Sequence, residues 1–309
     1  MESFRARPFL LNQLMRPVKT GRIVHAQIFA GPVGTGRFTA AKYVAQALNC
    51  TGAQKPCGSC PECRRILSGS APELMIVEPD GSSIKISRIR GVIEALSLRP
   101  EGHYKCVILK NADRMTESAQ NALLKTLEEA PEYAVFFLIT ARLSALLPTI
   151  RSRCMTLRFA PVSREETEQA LLEKGISPMQ AASAAELSGG CIGKALEIVQ
   201  VPAYRTVYDG LVKALTPMKS RRDVAFCGPD LAFGKENARL LLEILEQAAR
   251  ERMRGEENSP LSRLLRDNGL DGARLMKAVI RCGRMLDSHV SYQYAVEMLL
   301  YAATDTRDS

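Results

Sequence analysis

Residues 25–49, HAQIFAGPVGTGRFTAAKYVAQALN, decide the fold. A short apolar run, HAQIFAG (25–31), leads into Gly31, Gly34 and Gly36, and then into a stretch whose apolar residues recur at helical spacing. Strand, glycine loop and helix in this order predict a phosphate-binding loop in an α/β domain. The glycines permit a tight turn whose backbone N–H groups point at an anion at the helix N-terminus.

The end of this loop departs from the pattern G-x-x-x-x-G-K-[ST], which has a lysine and then a small hydroxyl. Arg37 and Phe38 stand at those positions, and Thr39 is one residue out of register. Arg37 keeps a positive charge but differs from lysine in shape, and Phe38 removes the hydroxyl that binds magnesium. The sequence leaves open whether ATP or ADP binds here.

Further apolar runs occur at ELMIVEP (73–79), KCVILKN (105–111) and AVFFLIT (134–140). Helical patterns such as SAQNALLKTLEEAP (118–131) alternate with them. This alternation predicts a parallel sheet with right-handed crossovers.

Two positions after the run CVIL bear on ATP hydrolysis. Active phosphate-loop ATPases use an Asp to hold magnesium and a Glu to activate the attacking water. Lys110 and Asn111 occupy these places here. A cation repels magnesium, and a neutral amide cannot act as a general base. The sequence therefore predicts that this chain alone does not hydrolyse ATP.

Four cysteines, Cys50, Cys57, Cys60 and Cys63, lie within CTGAQKPCGSCPECRR (50–65). Four thiolates at this spacing, separated by Gly and Pro turns, predict a closed tetrahedral zinc site with a structural role. The alternative is unpaired surface thiols or two disulfides. The remaining cysteines are scattered and are expected to lie in the core: Cys106, Cys154, Cys191, Cys227 and Cys282.

The strand signals stop after about residue 160, and only helical patterns follow. SREETEQALLEKG (163–175) opens with a capping box formed by Ser163 and Glu166, and SPMQAASAAELSGG (177–190) has proline at its first helical position. The sequence predicts an α/β core at 1–160 with a zinc insert at 50–63, a small helical domain at 161–203 and a helical C-terminal domain at 204–309. VAFCGPDLAFG (224–234) is an expected break.

Composition narrows the class of protein. With 46% hydrophobic residues and no apolar run of membrane-spanning length, the chain is expected to be a globular protein of the cytoplasm. The net charge of +9 comes from residues 1–110, which hold 16 basic and 7 acidic residues. This basic third either faces phosphates or an acidic partner, or is solvated surface.

The motifs in this order resemble those of AAA+ clamp-loader subunits of bacterial DNA polymerase III, in particular the delta-prime family. The resemblance rests on HAQIFAGPVGTGR, the cysteine insert after the first helix, NADRMTESAQNALLKTLEEAPE and LLPTIRSRC (146–154). It implies an AAA+ core with a parallel sheet and a zinc insert, followed by a helical lid and an all-α collar.

The resemblance also implies roles for three residues. Arg153 in SRC matches the arginine finger that reaches a neighbouring subunit's ATP, although it could equally be a structural ion-pair residue. Thr140 matches the polar sensor at a strand tip, where the alternative is a hydroxyl that caps the strand end. Lys194 falls at the position of a second sensor, where active relatives carry arginine.

The function implied is that of a stator, which assembles with gamma/tau and delta subunits to load the sliding clamp on primed DNA. Such a subunit belongs to a DNA-directed DNA polymerase assembly but has no polymerase activity of its own. One alternative is an active AAA+ ATPase, such as the gamma/tau subunit or a recombination-associated helicase relative; the altered loop and the lack of a long C-terminal extension disfavour it. Another is a zinc-bearing nucleic-acid adaptor without ring partners.

Overall fold

The computed structural model describes residues 8–218, 223, 237–253, 255, 259–288 and 290–303. The chain divides into two compact units after residue 162, with Cys191–Gly193 grouped with the first. We call the first the sheet unit and the second the helical unit. Cys227 and the break expected at 224–234 lie outside the described residues.

The sheet unit contains five parallel strands in the order β2-β3-β4-β1-β5. Their bounds are β1 Ala26–Ala30, β2 Leu74–Val77, β3 Lys105–Leu109, β4 Ala134–Thr140 and β5 Met155–Arg158. The predicted parallel sheet is thus confirmed. The sequence missed β5, because Leu157 is its only buried residue and no apolar run marks it.

Both faces of the sheet are covered, which is why its inner strands are continuous apolar runs. All seven residues of β4 are buried. Phe136 and Leu138 pack on one face, and Phe137 and Ile139 pack on the other. One face is covered by α1, α2 and α3, and the other by α4, α5 and α6. The bounds are α1 Pro8–Thr20, α2 Arg37–Asn49, α3 Pro61–Ser68, α4 Ile86–Leu96, α5 Glu117–Glu128 and α6 Pro148–Arg151.

All the regular structure described in the helical unit is helix. The helices are α7 Arg164–Leu172, α8 Pro178–Leu187, α9 Ile192–Gln200, α10 Pro202–Leu215, α11 Ala238–Met253, α12 Pro260–Asp267, α13 Gly272–Asp287 and α14 Tyr292–Ala303. The first two residues of α9, Ile192 and Gly193, are grouped with the sheet unit. The predicted capping box at Ser163 and Glu166 is confirmed. One buried apolar cluster extends from Leu171 to Ala303. The division into a lid at 161–203 and a collar at 204–309 stays a prediction.

Candidate functional site

The four clustered cysteines converge on one point directly after α2. Their sulfur atoms all lie within 4.8 Å of one another. Cys50 and Cys63 are buried, and Cys57 and Cys60 are half-buried. Cys60 is the N-cap of α3, so the start of this helix fixes the separation of the last two sulfurs. Gln46 of α2 donates to the Cys63 carbonyl at 3.0 Å and ties the insert to the sheet unit.

Backbone N–H groups surround these sulfurs. Gly52 and Cys57 both donate to Cys50 Sγ at 3.3 Å, Cys60 donates to Cys57 Sγ at 3.3 Å, and Cys63 donates to Cys60 Sγ at 3.4 Å. Donors of this kind favour a thiolate over a thiol. The N–H groups of Cys60 and Ser59 lower the pKa of Cys57 to about 6, whereas burial raises the pKa of Cys63 to about 12.

The cluster fits a closed four-sulfur metal site. A Cβ on Gly52 would lie 2.9 Å from Cys57 Cβ and from Cys57 Sγ, so no other residue type leaves the sulfurs this close. A metal ion supplies the positive charge that a buried thiolate such as Cys63 needs. The eight cysteines that the structure describes are all free thiols, so it shows none of the disulfides that the sequence left open. Cys106, Cys191 and Cys282 are buried and Cys154 is half-buried.

The glycine loop makes a tight turn between β1 and α2. Gly34 and Gly36 adopt φ values of 85° and 80°, in the left-handed region that favours glycine. Gly31 donates its N–H to the Thr140 carbonyl at 3.1 Å, and a Cβ on Gly31 would lie 2.2 Å from the Phe159 carbonyl oxygen. The loop is therefore held between β4 and the residue that follows β5.

A fourth glycine contacts this loop. Gly193 donates its N–H to the Gly34 carbonyl at 2.8 Å, and a Cβ on Gly193 would lie 2.9 Å from Gly34 Cα. Sequence reasoning missed Gly193, because nothing in its local pattern shows that it packs against the loop.

Arg37 extends into the protein interior rather than into solvent. Its side chain is buried, and its Nη1 atom has no hydrogen-bond partner among the described residues. Burial lowers the pKa of Arg37, while the nearby charges of Asp113 and Cys191 act in the opposite direction. An unpaired guanidinium nitrogen in the interior is costly, and Asp113 offsets part of that cost.

Asp113 lies between this arginine and the end of β4. Its carboxylate accepts from the Thr140 hydroxyl at 3.1 Å, from the Ala141 N–H at 3.4 Å and from Arg142 Nε at 3.4 Å. Thr140 is fully buried, and its hydroxyl also accepts from the Arg142 N–H at 3.0 Å. The sequence did not identify Asp113, although its place shortly after the apolar run CVIL was a signal that could have found it.

Two of the replaced positions contact each other. The Lys110 ammonium lies 4.6 Å from the centre of the Phe38 ring, a cation–π arrangement, and it forms an ion pair with Glu78. Asn111 adopts a left-handed φ of 52°, and Thr39 is half-buried near the start of α2. The structure thus brings together the loop and the residues that follow β3 and β4: Gly31, Gly34, Gly36, Arg37, Phe38, Lys110, Asp113 and Thr140.

Arg153 follows α6, and its side chain contacts residues of α5 and α6 and the residue after α6. Nη1 donates to the Thr149 carbonyl at 3.0 Å and to Ser152 Oγ at 3.3 Å, and Nη2 forms an ion pair with Glu128 at the end of α5. The side chain is 36% exposed and therefore lies at the surface of the chain. Lys194 belongs to α9 in the helical unit.

Comparison with known proteins gives consistent matches. The profile of the family described as "DNA polymerase III, delta subunit" matches residues 6–163. The DNA polymerase III subunit delta' of Bacillus subtilis is 36% identical over 221 residues, which are 71% of this chain and 67% of that protein. The DNA polymerase III subunit tau of Bacillus subtilis is 37% identical over 145 residues, 46% of this chain but only 25% of that protein.

A solved structure shares the fold. A DNA polymerase III gamma subunit-related protein from Thermotoga maritima superposes with a TM-score of 0.51 at 19% identity, covering 95% of this chain and 98% of that one. None of the described helices is long and apolar enough to cross a lipid bilayer.

Proposed function

The chain belongs to the DNA polymerase III delta-subunit family, and we propose that it acts as the delta-prime subunit, the stator, of a bacterial clamp loader. Its proposed partners are gamma/tau and delta subunits, together with a sliding clamp and primed DNA. Relatives named tau, gamma and delta' support this placement. We further propose that the helical unit comprises a lid at 161–203 and a collar at 204–309, which joins the ring.

The glycine loop supports a role without hydrolysis. Arg37 is buried and feels the charge of Asp113, and Phe38 occupies the position of the magnesium-binding hydroxyl. Lys110, which stands where an active enzyme has an acidic magnesium ligand, is held by Phe38 and Glu78. These groups offer neither a magnesium site nor a base for water, so the loop serves as a scaffold. In this proposal Thr140 and Lys194 occupy the positions of the two sensors but take no part in hydrolysis.

The observation that carries the stator role is the exposure of Arg153. An arginine finger acts on ATP bound to another subunit, so it has to lie at the surface of its own chain and away from its own loop. Arg153 meets both conditions, since its side chain is exposed and its contacts are with Thr149, Ser152 and Glu128 rather than with the loop. Its planar fork suits the charge that develops on a γ-phosphate.

We propose that the metal at Cys50, Cys57, Cys60 and Cys63 is structural zinc. Four thiolates leave no coordination position for a substrate or a water molecule. The metal would then hold the insert in its folded form and take no part in a reaction.

The proposed function is tested by Arg153→Ala in the reassembled clamp loader. Removal of an arginine finger lowers turnover at the site that it serves by about 10³-fold or more. We therefore expect one neighbouring ATP site to lose activity and clamp loading on primed DNA to fall sharply, while ring assembly is retained. Arg153→Lys should restore little, because a point charge does not reproduce the fork.

The matched control is Arg151→Ala, which removes an exposed arginine at the end of α6, two residues before Arg153, and should leave turnover unchanged. Normal clamp loading by the Arg153→Ala complex, with loss of stability in the isolated subunit, would make Arg153 a structural residue and refute the stator mechanism.

A further inference from the structure

The surroundings of Arg153 single out one acidic side chain. Glu128 is the last residue of α5, it is exposed, and its carboxylate forms an ion pair with Arg153 Nη2. Thr149 and Ser152 hold Nη1 from the other side, at 3.0 Å and 3.3 Å. The guanidinium is therefore held by groups of α5, of α6 and of the residue after it.

These contacts use only part of the donor capacity of the guanidinium. Arginine has five N–H groups in a rigid plane. Nη1 donates to the Thr149 carbonyl and to Ser152 Oγ, Nη2 faces the Glu128 carboxylate in an ion pair, and no described residue accepts a hydrogen bond from Nε. Nε–H therefore remains available to a phosphate from outside the chain.

We infer that Glu128 is a positioning residue for Arg153, which holds the guanidinium in the orientation that reaches a neighbouring subunit's ATP. The inference rests on the proposed finger role of Arg153. A long flexible side chain at a surface samples many rotamers. An ion pair that excludes some of them raises the fraction of molecules in which the guanidinium is oriented toward the neighbouring ATP. Glu128 does this without touching the nucleotide itself.

The exposure of the pair sets the size of the effect. Both side chains are in contact with water, at 36% for Arg153 and 46% for Glu128, and exposed ion pairs contribute little to stability. Loss of Glu128 should therefore leave the fold intact and lower turnover at the served site by about threefold to fivefold. Salt should weaken the same effect, because it screens an exposed pair.

The test uses Glu128→Gln in the reassembled complex, with Glu129→Gln as the matched control on the adjacent exposed acidic residue. For Glu128→Gln we expect a threefold to fivefold fall in kcat of the served site, an unchanged KM for ATP and an unchanged urea midpoint of the isolated subunit. Glu129→Gln should match the wild type in all three measurements.

The double variant separates positioning from any other role of Glu128. If Glu128 acts only through Arg153, then Glu128→Gln/Arg153→Ala has the same turnover as Arg153→Ala alone. A double variant that falls below Arg153→Ala would overturn the inference, and so would a Glu128→Gln complex with wild-type or raised turnover. If Arg153→Ala itself has no effect on turnover, the proposed function fails first, and the two failures are thereby distinguished.

Discussion

The cysteine insert and the glycine loop lie at opposite ends of α2 and differ in what each contains. The insert brings four sulfurs within 4.8 Å of one another, which is a complete donor set for a metal. In the loop, Gly34 and Gly36 are in left-handed conformation, but Arg37 and Phe38 stand where the phosphate-loop pattern has a lysine and a small hydroxyl. A chain can therefore keep the backbone geometry of a site without its functional side chains. The cysteine insert has both, whereas the glycine loop has only the backbone geometry.

The largest effect should follow from a break in the cysteine insert. Cys60→Ser removes one of the four proposed zinc ligands, so we expect the wild-type protein to hold one zinc per chain and the variant to lose it. Loss of a structural metal is among the most destabilising changes, and the free energy of unfolding should fall by about 4 kcal/mol or more. Metal analysis and thermal unfolding of the two proteins measure this.

Cys154→Ser is the control for that change, since Cys154 lies outside the cluster and should leave the zinc content at one per chain. Wild-type protein prepared without chelator and found to contain no zinc would contradict the metal assignment and make the insert a cluster of free thiols.

A second change tests whether the loop is retained for structure. Gly31→Ala places a Cβ 2.2 Å from the Phe159 carbonyl oxygen, and this contact can be relieved only by a shift of the backbone. We expect a loss of about 3 kcal/mol in the free energy of unfolding, as for other overpacked sites. Urea denaturation measures it, and no nucleotide is needed for the effect to appear.

Gly91→Ala is the matched control within the same unit. Gly91 lies in α4 with open space around its Cβ position, so alanine there should stabilise the protein by about 0.5–1 kcal/mol. If Gly31→Ala is as stable as the wild type, the loop is not held as tightly as its contacts with Thr140 and Phe159 indicate.

A third change tests the link between the glycine loop and the carboxyl end of β4. Asp113→Ala removes the acceptor of the Thr140 hydroxyl and a negative charge that acts on buried Arg37, and should cost about 2 kcal/mol. Asp113→Asn keeps an acceptor oxygen but loses the charge, so its cost should be smaller. Equal costs for the two variants would show that the carboxylate charge does not stabilise Arg37.

The sequence predicted what local patterns encode and missed what depends on contacts between distant segments. Apolar runs located β1 to β4, and cysteine spacing located the cluster of four cysteines. β5 has a single buried residue and left no such run. Gly193 and Glu128 were missed because their partners, Gly34 and Arg153, adjoin them only in the folded chain. The burial of the Arg37 side chain likewise depends on tertiary packing, which a local sequence motif does not predict.

The smallest expected effect concerns the nucleotide itself. Isolated wild-type protein should hydrolyse ATP no faster than background. Lys110 stands where an active enzyme has the carboxylate that binds magnesium, and Asn111 stands where it has the base that activates water. Saturating Mg-ATP should leave the melting temperature unchanged if it does not bind. Steady turnover that Arg37→Ala abolishes would contradict this and would make the chain an active ATPase.

A restored loop sharpens the same test, since the glycines and their backbone contacts are already in place. In the triple variant Arg37→Lys/Phe38→Thr/Lys110→Asp, the two loop positions and the magnesium ligand match the active pattern, while Asn111 still cannot activate water. We therefore expect Mg-ATP to stabilise this variant, by about 1.4 kcal/mol at tenfold excess over its Kd, and still no turnover. Binding without hydrolysis would show that the loop backbone is competent and that its side chains alone set its chemistry. Absence of binding would instead mean that the contact between Gly34 and Gly193 holds the loop in a form that excludes a phosphate, so that backbone and chemistry are not separable here.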